Sequence, residues 1–244
     1  MRSSPSRRAE LERLGAVPFA HRGLHGGARV ENSGGAIAAA LDQGYGVELD
    51  VQLSRDGEAL VFHDYELDRL TSARGRVESR TAAEMQALSL RGSGEPIPLL
   101  SQVLASIAGR APLLVEVKSP ERKVERLCAA VARSLENYDG PVGVMSFNPQ
   151  VGAWFARNAS PVLRGLVVTE NGRRGVRGRI ERRLALWRSR ADFLAYDIRD
   201  LPSRFAGAAR RRGLPAYTWT VRSEADRARA AAYADQIIFE APPG

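Results

Sequence analysis

Cysteine is almost absent from this chain. Cys128 stands alone, so no intramolecular disulfide can form, and the usage suits a reducing, intracellular compartment. Long apolar runs are missing as well, and nothing approaches the roughly 20 residues that a bilayer-spanning helix needs. The opening stretch, Met-Arg-Ser-Ser-Pro-Ser-Arg-Arg-Ala-Glu, lacks the apolar core of a secretory leader. A cytoplasmic location is the expectation. What is present is ordinary in bulk: 244 residues, 44% hydrophobic and 26% charged, enough for one large α/β domain and short for two. Basic residues outnumber acidic ones 36 to 28, which implies an affinity for anionic ligands or surfaces without saying which.

The most informative stretch is Val47-Glu48-Leu49-Asp50-Val51. Apolar and acidic residues alternate strictly, so in a strand Glu48 and Asp50 share one side. Two carboxylates on one face of an apolar strand are costly to bury unless a cation or hydrogen-bond donors compensate them. Hard oxygen ligands of this kind point to Mg²⁺ or Ca²⁺. Downstream, Asp56-Gly57 is a strong hairpin signal. With these as the two turn residues, Arg55 pairs with Glu58, and counting outward sets Asp50 opposite His63.

Strands and helices alternate along the rest of the chain. Strands are expected at about 17–20, 47–51, 113–118, 142–147, 164–168, 193–196, 216–221 and 236–239, with helical stretches between them. Asn32 or Ser33 is the N-cap candidate for a helix from Ala36 to Gln43. Eight such units in one domain-sized chain predict a (β/α)₈ TIM barrel over 1–244, with an insertion at about 52–96 after strand two. Residues 1–15 read as a loose or helical lead-in.

Set on that layout, the unusual polar residues fall at strand ends, where this fold builds its active sites. His21 closes strand one, Glu48 and Asp50 lie on strand two, and His63 is on the inserted hairpin. Glu116 and Lys118 share one side of strand three, Phe147 ends strand four, and Trp219 stands near the end of strand seven. Taken singly, each has a plain structural reading: a satisfied histidine, an exposed strand face, a surface ion pair, a core tryptophan. Their gathering at one end of the barrel instead suits an anionic substrate held by a divalent cation. The cation and Lys118 would neutralise phosphate oxygens while two imidazoles move protons. Phe147 and Trp219 fall on the substrate side. His25, in a glycine-rich loop, reads as structural or peripheral. The eight arginines from 173 to 190 flank Ile180, Leu184 and Trp187 at helical spacing, which reads as a solvated amphipathic helix, with contact to an anionic membrane surface as the lesser alternative.

The chain resembles the glycerophosphodiester phosphodiesterases, the bacterial cytoplasmic type in particular. The resemblance rests on His21-Arg22-Gly23, Glu31-Asn32-Ser33, Glu48-Leu-Asp50-Val, Asp56-Gly57, His63-Asp64, Glu116-Val-Lys118, Met145-Ser146-Phe147 and Trp219-Thr-Val221, spanning roughly residues 17 to 222. It implies a (β/α)₈ barrel with a small insertion after strand two. It also implies His21 and His63 as the general acid/base pair, Glu48, Asp50 and Glu116 as ligands of Mg²⁺ or Ca²⁺, and Arg22 and Lys118 as phosphate contacts. Two positions depart from the family's pattern: Phe239-Glu240 stands where an Asp-containing stretch is usual, and Asn148 where Asp is frequent. The implied activity is metal-dependent hydrolysis of small-molecule glycerophosphodiesters to sn-glycerol 3-phosphate and an alcohol, with no nucleic-acid partner. Two rivals stay open: a lysophospholipase D-like activity on lipid-tailed substrates, and a non-catalytic module for anionic lipid or nucleic acid.

Overall fold

The computed structural model describes residues 4–119 and 123–240. Eight parallel strands close into a barrel: β1 (Phe19–His21), β2 (Gly46–Leu53), β4 (Leu113–Val117), β5 (Val142–Ser146), β6 (Leu163–Val168), β7 (Phe193–Asp197), β8 (Ala216–Val221) and β9 (Gln236–Phe239). The order runs β1-β9-β8-β7-β6-β5-β4-β2, and pairing of β1 with β2 completes the ring. The short antiparallel strand β3 (Ala59–Val61) adds to the outer end of β2. Helices α2 (Gly34–Asp42), α4 (Leu100–Ile107), α5 (Glu125–Leu135), α6 (Pro149–Asn158), α7 (Val176–Ser189), α8 (Arg204–Arg211) and α9 (Glu224–Tyr233) cover the outside. This is the expected (β/α)₈ barrel. No described helix is long and apolar enough to cross a membrane.

Strand alternation divides the core in two. Val47, Leu49, Val51, Leu113, Val115 and Val117 point outward and bury against Ile37, Leu100, Leu104, Leu127 and Val131 of the helices. The inward set changes character along the axis. Its lower part is apolar, with Phe19, Leu114, Phe193, Tyr217 and Ile238 in one cluster. Gly165 is required there, because a Cβ would stand 2.3 Å from the Phe193 ring. Helix α1 (Pro5–Leu14) adds Leu11 and Leu14 to the same cluster and plugs the barrel floor. Arg7 fastens it, donating to the carbonyls of Ser160, Pro161 and Val162 and pairing with Asp192. Higher up, the inward positions are Glu48, Asp50 and Glu116, all buried.

The segment between β2 and α4 carries a small core of its own, made of Leu60, Phe62, Leu67, Val77, Met85, Leu90 and Ile97. Its helix α3 (Ala82–Gln86) starts with a capping box: the Thr81 hydroxyl accepts from the Glu84 N–H, and the Glu84 carboxylate accepts from the Thr81 N–H. Here the expected hairpin register is corrected. Val51 faces Val61 and Gln52 faces Leu60, so Asp50 stands across from Phe62, one residue from the expected partner His63. The loop has three residues, Arg55-Asp56-Gly57, because Ser54 closes it. The Ser54 N–H donates to the Glu58 carbonyl, its hydroxyl accepts from the Glu58 N–H, and Gly57 supplies the positive φ of +95°.

Candidate active site

Register brings the site residues together. Pairing of β1 with β2 sets His21 beside Glu48, and pairing of β2 with β4 sets Asp50 beside Glu116. With inward alternation, these four side chains, followed by Lys118, converge at the C-terminal mouth of the barrel. The mouth holds a cavity of about 480 Å³ whose walls include His21, Arg22, Glu48, His63, Glu116, Lys118, Phe147 and Trp219. Asp50 lies beneath. Of the candidate residues read from the sequence, eight face one cavity and the ninth supports its floor.

The loop from β1 to α2 is folded for this purpose. Arg22 and Asn32 hold left-handed backbones, φ +57° and +60°, as does Gly23 at +77°. A Cβ on Gly23 would come within 2.7 Å of the Ala36 carbonyl carbon, so only glycine fits against the start of α2. Ser33 takes the N-cap, its hydroxyl accepting from Ala36. Asn32 is thereby free to turn inward, where its amide donates to the Asp50 carboxylate at 3.0 Å and its oxygen accepts from the Asp50 N–H.

Three carboxylates, Glu48, Asp50 and Glu116, offer oxygens all within 4.8 Å of one another. Lys118 Nζ sits 3.2 Å from Asp50 and 3.0 Å from Glu116, and Arg22 Nε is 3.1 Å from Asp50. Burial alone would push the Asp50 carboxyl up, but Lys118 and Arg22 outweigh it and hold the group below the usual range. Burial pushes Glu116 up, with Lys118 opposing. Glu48 is pushed well up, by burial first and then by the neighbouring Asp50 and Glu116 charges. The backbone N–H of Arg22 donates to it at 3.1 Å, and His21 Nε2 lies 3.9 Å away. A third buried carboxylate against two cations leaves a deficit of positive charge. A hard divalent cation among these oxygens meets that deficit, so the donor set fits Mg²⁺ or Ca²⁺.

Both imidazoles are anchored in the same manner. His21 Nδ1 is 2.7 Å from Glu240, whose carboxylate accepts two hydrogen bonds from Arg222 at 2.6 and 2.9 Å. His63 Nδ1 is 2.7 Å from Asp64, which Arg69 holds through two contacts at 2.6 and 2.9 Å. A carboxylate can only accept, so each Nδ1 carries the proton and Nε2 is the nitrogen left for the cavity. Burial lowers the pKa of both histidines, against the raising effect of the carboxylates beside them. The Arg69 bonds, chiefly, hold the Asp64 carboxyl down at about 2. Arg69 continues to Glu31, which in turn accepts from Arg22 at 2.8 Å.

His63 reaches the mouth by a route other than strand register. The Gln52 side-chain amide donates to the carbonyls of Phe62, His63 and Asp64 and bends the chain as it leaves β3. Gln52 continues the alternation of Glu48 and Asp50, so its inward position was readable in the sequence; its partners were not. Asn32 and Glu31 sit inside a recognised motif. Arg69 and Arg222 come from distant, irregular segments and gave no signal, and Glu240 was marked only as a departure from the family's pattern. His25 keeps its ring near His21 and Glu240 but does not border the cavity. Asn148 caps α6, its side-chain oxygen accepting from Gln150 and its amide donating to Ser119.

Comparison with known proteins agrees with this geometry. Residues 21–241 match the model of the glycerophosphoryl diester phosphodiesterase family. The Bacillus subtilis protein YhdW, named as a candidate glycerophosphodiester phosphodiesterase, is 30% identical over 239 residues, covering 92% of this chain and 94% of its own. A glycerophosphodiester phosphodiesterase of Bacillus altitudinis is 36% identical over 107 residues, 41% of this chain and 43% of its own. Among solved structures, a phosphodiesterase of Oleispira antarctica in complex with the product sn-glycerol-3-phosphate superposes with a TM-score of 0.80. It is 24% identical and covers 92% of this chain and 93% of its own. The glycerophosphodiester phosphodiesterase of Thermotoga maritima gives 0.73 at 21% identity, covering 91% and 94%. The fold, the match across nearly the whole chain and the clustered mouth residues place this protein among the hydrolases of the glycerophosphoryl diester phosphodiesterase family.

Proposed function

We propose that the protein hydrolyses small glycerophosphodiesters to sn-glycerol 3-phosphate and an alcohol, with His21 and His63 as the proton-transfer pair. The observation that carries this is the matched anchoring of the two imidazoles. Each has Nδ1 on a carboxylate, which leaves Nε2 for one cavity whose walls include Glu48, Glu116, Arg22 and Lys118, with Asp50 beneath. Glu48, Asp50 and Glu116 are the residues that would hold the divalent cation, which when bound supplies charge neutralisation at phosphoryl oxygens.

The chain's own groups divide the remaining work. Arg22 and Lys118 offset phosphate charge from the cavity wall. One neutral imidazole accepts a proton at Nε2 from the attacking nucleophile, either water itself or a substrate hydroxyl whose cyclic phosphate water then opens. The other, as imidazolium, donates from Nε2 to the departing alkoxide. Glu240 and Asp64 stabilise the charged imidazoles and fix their orientation, as a carboxylate does behind a catalytic histidine. Phe147 and Trp219, in edge-to-face contact with centroids 5.6 Å apart, bound the substrate side and exclude water.

A second reading draws support from the rim, where Phe147 is exposed against Trp219, and from the inserted segment, where Tyr65 is exposed within electrostatic reach of Lys118 and Glu116. Such an aromatic edge could seat an acyl chain, as a lysophospholipase D-like activity needs. One assay separates the two: purified protein with divalent metal on glycerophosphocholine, glycerophosphoethanolamine and a lysophosphatidylcholine, with products identified by ³¹P NMR. The proposal expects sn-glycerol 3-phosphate from the first two. Turnover of the lysolipid alone moves the assignment to the second reading, and turnover of none removes both.

A further inference from the structure

Helix α7 presents an apolar row that the fold does not use. Val176, Ile180, Leu184 and Trp187 recur at helical spacing, and each is more than half exposed, Trp187 by 76%. The opposite face is the packed one, where Gly178, Arg182 and Ser189 are buried. Arg182 is spent there, paired with Glu170 at 2.9 Å and donating to the Arg173 carbonyl. Exposed arginines border the apolar row on both sides: Arg177 and Arg188 along one flank, Arg179 and Arg183 along the other. Between Arg173 and Arg190 eight arginines stand against one acid, Glu181, which already contacts Arg173 and Arg177. Beside the helix a groove of about 1820 Å³ is walled by further arginines, among them Arg204 and Arg212 of the α8 region.

We propose that this face of α7 docks on an anionic phospholipid surface. An apolar row in line with the helix axis, with cations on both flanks, is the pattern of a helix lying in a membrane interface: the row enters the acyl boundary and the guanidinium groups meet phosphates. A second copy of the chain is the poorer occupant, because a two-fold contact would press each arginine flank against its own equivalent. Nucleic acid would engage the arginines but leaves the Val-Ile-Leu-Trp row without a role. The site's geometry suits an enzyme held this way. Arg199 borders both the groove and the active-site cavity, so the mouth opens beside the docked face.

The test is co-sedimentation of the full chain with vesicles of equal parts phosphatidylglycerol and phosphatidylcholine, against vesicles of phosphatidylcholine alone. Two variants accompany it: Arg177→Gln/Arg179→Gln/Arg183→Gln/Arg188→Gln, and Ile180→Ser/Leu184→Ser/Trp187→Ser. Wild type should bind the anionic vesicles in low salt and release in high salt. At about fivefold per arginine near the surface, the arginine variant should lose two orders of magnitude or more in partitioning. The apolar variant should lose about a hundredfold or more, with turnover and melting temperature as in wild type. Wild type that ignores phosphatidylglycerol overturns the proposal, whatever the variants do. So does an apolar variant that binds as wild type does, a change in self-association by gel filtration in place of vesicle binding, or duplex DNA binding that needs the arginines alone.

Discussion

At the scale of single residues, the two histidines are equivalent in surroundings and different in origin. His21 ends a barrel strand, while His63 is carried on an inserted loop, yet each is set by a carboxylate that an arginine holds. Each positioned acid or base typically contributes about 10²–10⁴-fold in rate. His21→Ala and His63→Ala should therefore each lower kcat by that order, with little change in melting temperature. The double variant should lose less than the product of the two, since both act in one reaction coordinate. Steady-state kinetics on glycerophosphocholine check this, and a single variant with unimpaired kcat removes that histidine from the mechanism. Strand alternation and strand ends, which are short-range features, were enough to single out His21, the three carboxylates and Lys118. Arg22 came from the motif resemblance, and His63 was singled out on the hairpin with a register one residue off. Sequence alone assigned no role to Glu240, noted only as a departure from the family's pattern, or to Arg222 and Arg69. The value of Glu240 and Arg222 arises when the barrel closes and brings residue 240 against residue 21, and Arg69 acts through Asp64 and Glu31.

Among the elements, the hairpin after β2 shows what local pattern can and cannot specify. Asp56-Gly57 correctly marked a turn, but the register followed from the Ser54 hydroxyl, which enlarged the loop by one residue. A one-residue slip normally moves a side chain to the other face. Here Phe62 gained a place in the insertion core, and Gln52 bent the chain so that His63 still reached the mouth. The Asp64–Arg69–Glu31 chain ties that segment to the β1–α2 loop, and it should be acid-sensitive. Asp64 titrates at about 2 in the folded protein, below its unfolded value near 4, so its stabilisation is complete above about pH 4 and fades as pH falls toward 2. Arg69→Gln removes the largest cause of that depression. The gap in melting temperature between wild type and variant should be widest near neutral pH and close as pH approaches 2. A gap that grows on acidification contradicts the ion-pair account. Helix α1 was equally hard to read, since ten mostly polar residues show two leucines and no partner until a barrel floor exists. Leu14 is fully buried there, and Leu14→Ala should cost about 2–5 kcal/mol in denaturant unfolding. A cost under about 1 kcal/mol would mean that α1 does not plug the barrel.

For the whole molecule, the alternation of eight strands with helices was legible from end to end. Parallel strands buried on both faces read as short apolar runs, and the acidic interruptions in two of them marked the site. The layout explains why catalysis and stability can be separated. The lower interior is a packed apolar plug, and the upper interior concentrates charge that the chain alone does not balance. Central to the account is that Glu48, Asp50 and Glu116 require a divalent cation to act. The direct measurement is turnover of glycerophosphocholine by protein stripped with EDTA, followed as Mg²⁺ or Ca²⁺ is titrated back, in wild type and Glu48→Gln. Stripped wild type should be folded and inactive and should recover with the added ion, while Glu48→Gln should need far more of it. Full activity in the stripped protein, or an identical metal requirement in Glu48→Gln, contradicts the account.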